Sequence, residues 1–324
     1  MTTTTEAVPT RAAAAEPKRA GRKSLKRFLP QYLAIAPFYI LFLIFGLFPI
    51  AFSIYLSFTD WDGMGDMTFV GFAQYQYLLS DTRFWNAVGN TFIIWFLSTI
   101  PMLFLALVIA FLLHSNIRFK GFYRVAYFIP NVTSMVAMAI VFGSVFSDSF
   151  GLVNSALTAL NLSEVQWLSS DWGIKITIAV MVIWRFTGYN AIIYLAGLQA
   201  IPTELYDAAK VDGAPTWRIF TSITVPMLRP VILFTVITST VGGLSLFTEP
   251  QVLLGNDGGP NEAGMTIVLY QYNQAFTQFD FGYGSAIAWA LFIIAAVFAI
   301  INWRLVRERD SMKIKPGPGG EAAK

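Results

Sequence analysis

Hydrophobic residues gather into six runs along the chain, roughly 33–58, 87–113, 122–146, 173–198, 228–248 and 283–303. Each is long enough to cross a hydrocarbon core about 30 Å thick, which takes about 20 helical residues. Polar stretches separate the runs, and the pattern predicts an all-α polytopic protein with six transmembrane helices. Residues 1–30 read as a disordered basic arm, 31–305 as the membrane domain with a polar loop at 199–230, and 306–324 as a Pro- and Gly-rich tail. The first run is too long for a cleaved leader and lacks a small-residue cleavage site, so it reads as a retained span.

Composition agrees: 56% of the 324 residues are hydrophobic and 13% charged, with a mean hydropathy of +0.58, beyond what soluble domains carry. The absence of cysteine and the single histidine, His114, exclude disulfides, thiolate metal sites and cysteine nucleophiles. Of the 22 Lys and Arg residues, 19 fall in the N-terminal arm, the turn at Arg118, Lys120 and Arg124, the 199–230 loop and the tail. Arg83 alone lies in the opposite loops, Lys175 and Arg185 belong to the fourth span, and those opposite loops hold eleven of the 19 acids. Because cytoplasmic loops collect Lys and Arg, both termini and the 199–230 loop are expected on the cytoplasmic side. In the first outer loop, Trp61, Tyr75, Tyr77, Phe84 and Trp85 are expected along the membrane interface as an aromatic belt.

The 199–230 loop is patterned, not random. Pro202 and Thr203 open a short helix with Glu204 and Asp207 in its first turn, where negative charge suits the helix dipole. Leu205, Ala208 and Ala209 make its apolar face, with Glu204, Lys210 and Asp212 around the remainder, and Gly213 closes it in a left-handed conformation. Pro215 opens a second helix carrying Trp217, Phe220 and Thr224 on one side, which Pro226 and Pro230 are expected to break. Two helices joined at an Asp212-Gly213-Ala214 corner form a compact knob, which either caps its own bundle or fits a socket elsewhere.

These residues resemble a known family. Asp207-Ala208-Ala209 followed by Gly213, Phe220, Ile223 and Pro226 is similar to the EAA loop of binding-protein-dependent ABC importer permeases. Ile201-Pro202 and Glu204-Leu205-Tyr206 stand in front, as in the sugar-transporting branch. Asp207 replaces the usual Glu and Val225 the usual Leu; both keep the character of the position. Gly258-Gly259-Pro260 with Thr266, and Tyr270-Gln271-Tyr272 to Ala275-Phe276, resemble elements of the MalF-like sugar permeases. Asn86-Ala87, Asn90-Thr91 and Pro130 with Ser134 and Ala137 are weaker matches. The resemblance covers about residues 30–305.

The resemblance implies a type I (MetI-like) ABC importer permease for a sugar, a di- or oligosaccharide or related polyol compound. It would sit in a bacterial or archaeal cytoplasmic membrane and form half of a pathway with a second homologous permease. Glu204, Asp207, Ala208, Ala209, Asp212, Gly213 and Ala214 would be a coupling helix docked on one of two ATPase subunits, and an extracytoplasmic solute-binding protein would deliver the sugar. Besides membrane lipid, no nucleic-acid partner is expected.

No G-x-x-x-x-G-K-[ST] loop occurs, so ATP and Mg would be held by the partner ATPase, with no cofactor or metal on this chain, which would not be an enzyme. Absent H-E-x-x-H and G-x-S-x-G motifs leave a membrane hydrolase without its usual parts. Arg185 lies well inside the fourth span, where a charge faces water or a partner. It either lines the pathway, with Tyr189 and Asn190 one turn on, or pairs with Glu249 or a backbone carbonyl. The resemblance puts a sugar-contacting tyrosine at Tyr189. In the fifth span Thr240, Leu244, Ser245, Phe247 and Glu249 are candidate pathway residues, although its small residues also suit helix packing. The rival reading is an ion-coupled secondary transporter or channel, for which intramembrane acids are expected; Glu249 is the one candidate.

Overall fold

The computed structural model describes residues 29–114 and 118–311. The arm up to residue 28 and the tail from 312 lie outside these. The chain divides into two units at Phe52–Ser53. The first holds most of the opening span α1, Pro30–Leu56, which buries none of its most apolar stretch. A helix apolar on every side is the pattern of a membrane span.

The second unit begins with a two-residue ribbon, β1 (Thr59–Asp60) antiparallel to β2 (Thr68–Phe69), and the short helix α2, Ala73–Ser80. Then comes α3, Thr82–His114, whose most extensive partner is α7, Asp171–Gln199. Ser170 caps α7 by accepting the Gly173 N–H at 3.1 Å. Phe96, Ile100 and Phe104 of α3 stay exposed, as lipid-facing positions should. Together with Arg229–Leu254 and Phe281–Asn302, five helices among the described residues are long and apolar enough to span a membrane.

The third predicted span is not straight. α4, Lys120–Val132, and α5, Met135–Val145, meet at a 95° bend. Thr133 and Ser134 are extended there, with ψ of 140° and 133°. Pro130 supplies no N–H to the last turn of α4, and a helix that has lost a bond next to two hydroxyl residues has a cheap place to turn. α4 packs on α7 where Gly188 faces the Tyr127 backbone carbonyl.

After α5 come α6, Leu152–Ala159, then α7, the knob helices α8, Thr203–Val211, and α9, Thr216–Ile219. α10, Arg229–Leu244, α11, Thr248–Leu254, α12, Ile267–Tyr272, and α13, Phe281–Ser311, complete the unit. The last apolar stretch ends at Asn302, close to the predicted 303, while the helix itself continues to Ser311, into the segment read as tail, through Arg, Leu and Glu positions that favour helix.

At the end of the bundle bearing the acidic loops, Asp81 ties three elements together. It accepts the Tyr270 hydroxyl of α12 at 2.6 Å, the Tyr283 hydroxyl of α13 and the Arg83 N–H of α3 at 2.9 Å. Arg83 pairs with Glu262. Asn90 donates to the carbonyls of Glu262 and Met265, and the Thr91 hydroxyl accepts the Ile267 N–H at 2.9 Å. Of the expected aromatic belt, Trp85 and Tyr77 are exposed, whereas Phe84 is 1% exposed in the core beneath them and Tyr75 turns in to hydrogen-bond Ser57.

Burial alone would raise the Asp81 carboxyl, but the two tyrosine hydroxyls and the N–H groups of Arg83 and Phe84 outweigh it and hold it below its ordinary value of 3.8. A carboxyl lowered in the fold adds stability that is fully present above its unfolded value and is lost as the pH falls through the folded one. The tie therefore stands at neutral pH. Asp81→Asn should lower stability by about 2 kcal/mol, the worth of charge-assisted bonds, read as a lower midpoint of heat unfolding at pH 7, and the gap between wild type and variant should narrow as the pH falls below 3.8 and the wild-type carboxyl takes up its proton.

Candidate functional site

Two features stand out, a polar cavity within the bundle and the knob at its end. The cavity has a volume of about 470 Å³ and lies among α3, α7 and the break between α10 and α11. The break is local chemistry: α10 runs through Gly242-Gly243 and stops at Leu244, Phe247 takes φ −135° and ψ −56°, and α11 restarts at Thr248. Thr266 donates its hydroxyl to the freed Leu246 carbonyl at 2.6 Å. The interruption brings Ser245, Phe247 and Glu249 to the cavity wall, facing Thr99, Met102, Phe186, Tyr189 and Asn190. Asn190 is 2% exposed and donates to the Phe186 carbonyl at 3.0 Å, which fixes its amide. Hydroxyls, an amide and aromatic rings around one space are the donors, acceptors and stacking faces that a polyol needs.

Five of the eight predicted pathway residues, Tyr189, Asn190, Ser245, Phe247 and Glu249, line this cavity. Thr240 and Leu244 do not; both are buried in helix packing, with the Thr240 hydroxyl turned back to the Val236 carbonyl. Arg185 does not line it either. Its guanidinium lies 5.5 Å from the Phe186 ring centroid and touches the Met135 sulfur just past the bend; its Nε is buried without a hydrogen-bond partner among the described residues. No ion pair within 4 Å joins it to Glu249 among those residues. Thr99, Met102 and Phe186 line the cavity without a sequence signal, since no motif or spacing marks them within their spans.

The knob follows α7 directly. α8 starts at Thr203, and Pro202 before it occupies the capping position without a side-chain bond. At its far end Gly213 has φ 67°, and the Gly213 N–H to Lys210 carbonyl and Ala214 N–H to Ala209 carbonyl bonds, 3.0 and 2.9 Å, form a Schellman motif. Pro226 and Pro230 do not break the chain. A wide turn at Phe220–Thr224, with the Val225 N–H reaching the Phe220 carbonyl, precedes Pro226, and Pro230 sits in the first turn of α10, where its missing N–H costs little.

The faces of α8 differ from the predicted ones. Tyr206 is the inward residue, 8% exposed, with its hydroxyl 3.3 Å from the Thr224 hydroxyl and its ring 5.6 Å from that of His114. Ala209 and Ala214 pack partly on the same core. Glu204, Asp207, Ala208, Asp212 and Gly213 are exposed, and Asp207 pairs with Lys210 at 3.2 Å. Leu205, Val211 and Trp217 are 41%, 88% and 69% exposed. Trp217 is thus exposed while Phe220 is half-buried and Thr224 buried, so the three do not share one side as the sequence predicts. The knob leaves an apolar edge uncovered beside charged residues.

A family model for the binding-protein-dependent transport system inner membrane component matches residues 90–308. The lactose transport system permease protein LacF of Rhizobium radiobacter is 39% identical over 295 residues, 89% of this chain and 98% of the relative. The arabinooligosaccharides transport system permease protein AraP of Bacillus subtilis is 35% identical over 276 residues, 85% of this chain and 87% of the relative. A chain in the crystal structure of a bacterial alginate ABC transporter, in complex with its alginate pentasaccharide-bound periplasmic protein, has the same fold, with a TM-score of 0.76 at 24% identity over 90% of this chain and 98% of that one. This chain belongs to the family of inner membrane components of binding-protein-dependent transport systems.

Proposed function

We propose that the chain is one permease of an ATP-driven sugar importer, forming half of the pathway with a second permease and passing the motion of ATPase subunits to its cavity. The observation that carries this is the continuity of α7. One helix lines the cavity at Phe186 and Asn190 and runs without interruption to Gln199, three residues short of the knob. At 1.5 Å per residue the lever from Phe186 to Gln199 is about 20 Å. A partner that grips the knob moves the cavity wall, which is how alternating access is driven. The lactose and arabinooligosaccharide permeases among the relatives support a sugar as cargo, and the cavity's hydroxyl and aromatic lining suits one.

In this reading the knob and both termini are cytoplasmic, the ATP and Mg sites belong to the ATPases, and a binding protein docks on the acidic loops. The orientation has a direct test in a chain without cysteine. Single cysteines at Ser163 and Asp257, both exposed, should react with an impermeant thiol reagent in intact cells, and one at the equally exposed Thr216 should not. Labelling at Thr216 would invert the orientation and remove the knob from reach of cytoplasmic ATPases.

A further inference from the structure

The cavity wall carries one carboxyl group. Among the described residues that line it, Glu249 alone is ionisable as acid or base in the ordinary range. It is 5% exposed and stands just past the break in the fifth span, beside Ser245 and Thr248. Arg185 lies behind the wall: its guanidinium is 5.5 Å from the centroid of the Phe186 ring and against the Met135 sulfur, and it does not line the cavity. A guanidinium is thus kept behind the wall and a carboxyl group placed in it.

We propose that Glu249 is the specificity-determining residue of this cavity, confining it to uncharged saccharides. The inference rests on the sugar-importer reading. A carboxylate only accepts hydrogen bonds, and its two oxygens match two neighbouring sugar hydroxyls, each of which has a proton to give. A uronate or other acidic sugar brings a second negative charge into the same low-dielectric space, where like charges repel far more strongly than in water. The rest of the polar lining, Thr99, Tyr189, Asn190, Thr238, Ser239, Ser245 and Thr248, consists of hydroxyls and an amide, which offer hydrogen bonds but no positive charge to offset that repulsion.

The test is equilibrium binding to the whole importer complex in lipid nanodiscs at pH 7. The probes are disaccharide pairs of the same linkage that differ only in CH2OH against carboxylate at C6: α-1,4-galactobiose with α-1,4-digalacturonate, at both rings, and cellobiose with the acid oxidised at C6 of its non-reducing ring, at one. The neutral member of at least one pair should bind about tenfold more tightly than the acid, and Glu249→Gln should shrink that ratio to about threefold or less. Glu249→Asp, which keeps the charge, should preserve it. Co-purification of the ATPases with each variant shows that the fold is intact. Equal binding of both members to the wild type, or a ratio that Glu249→Gln leaves unmoved, overturns the assignment while the importer reading stands. Binding of neither member of either pair would count against the sugar reading itself, and this inference with it.

Discussion

An Ala208→Trp variant should assemble, insert and bind sugar, yet lose at least about tenfold of the ATP hydrolysis that a loaded binding protein stimulates. Ala208 is exposed on α8, next to an apolar edge of Leu205, Val211 and Trp217 that the chain's own fold does not cover. Inserting an indole into a close-fitting contact costs about 1–3 kcal/mol, and each 1.4 kcal/mol is a factor of about ten in an equilibrium. The neighbouring Ala209 is a poorer probe, because it packs partly on the core around Tyr206 and Ile219; a tryptophan there would damage the knob before any partner met it. The measurements are stimulated hydrolysis by the purified complex and the amount of ATPase that co-purifies. Wild-type stimulation in Ala208→Trp would make the exposed edge an idle surface.

Gly188→Val should act earlier, on assembly. A Cβ at Gly188 would lie 1.7 Å from the Tyr127 carbonyl oxygen. That oxygen is backbone, fixed in α4, and cannot swing aside as a side-chain end can. The only relief is to part α4 from α7, which exposes the contact holding the bent third span to the central helix. The expected cost exceeds the usual overpacking penalty of about 1–3 kcal/mol, and recovery of monodisperse protein from membranes should fall to about a tenth or below. Full recovery with normal transport would show that the α4–α7 crossing is looser than its geometry implies.

The sequence announces most of the architecture and little of the lining. The spans are legible because lipid imposes length and apolarity on each segment separately. The knob is legible because Pro202, Gly213 and Pro215 are local punctuation whose meaning does not depend on distant residues. The 95° bend is not, since Thr133 and Ser134 are too few to lower the hydropathy of the run around them. The choice of Tyr206 over Leu205 as the inward residue of α8 depends on Thr224 and His114, which no periodicity of α8 encodes. The Asp81 tie joins positions 189 and 202 residues apart. Arg185 read as a charge needing water, Glu249 or a backbone carbonyl; the structure gives it a thioether and an aromatic face, weak partners for a cation that no motif marks.

The central claim, a permease whose cavity is driven by ATP through the knob, is tested most directly in proteoliposomes holding this chain with its second permease and the ATPases. Radiolabelled sugar uptake is followed with loaded binding protein outside and ATP inside, then with each omitted, then with a proton or sodium gradient replacing ATP. Uptake should require both the binding protein and ATP and should ignore the gradients. Uptake driven by a gradient without ATP would contradict the account and make Glu249 the coupling carboxylate of an ion-driven transporter.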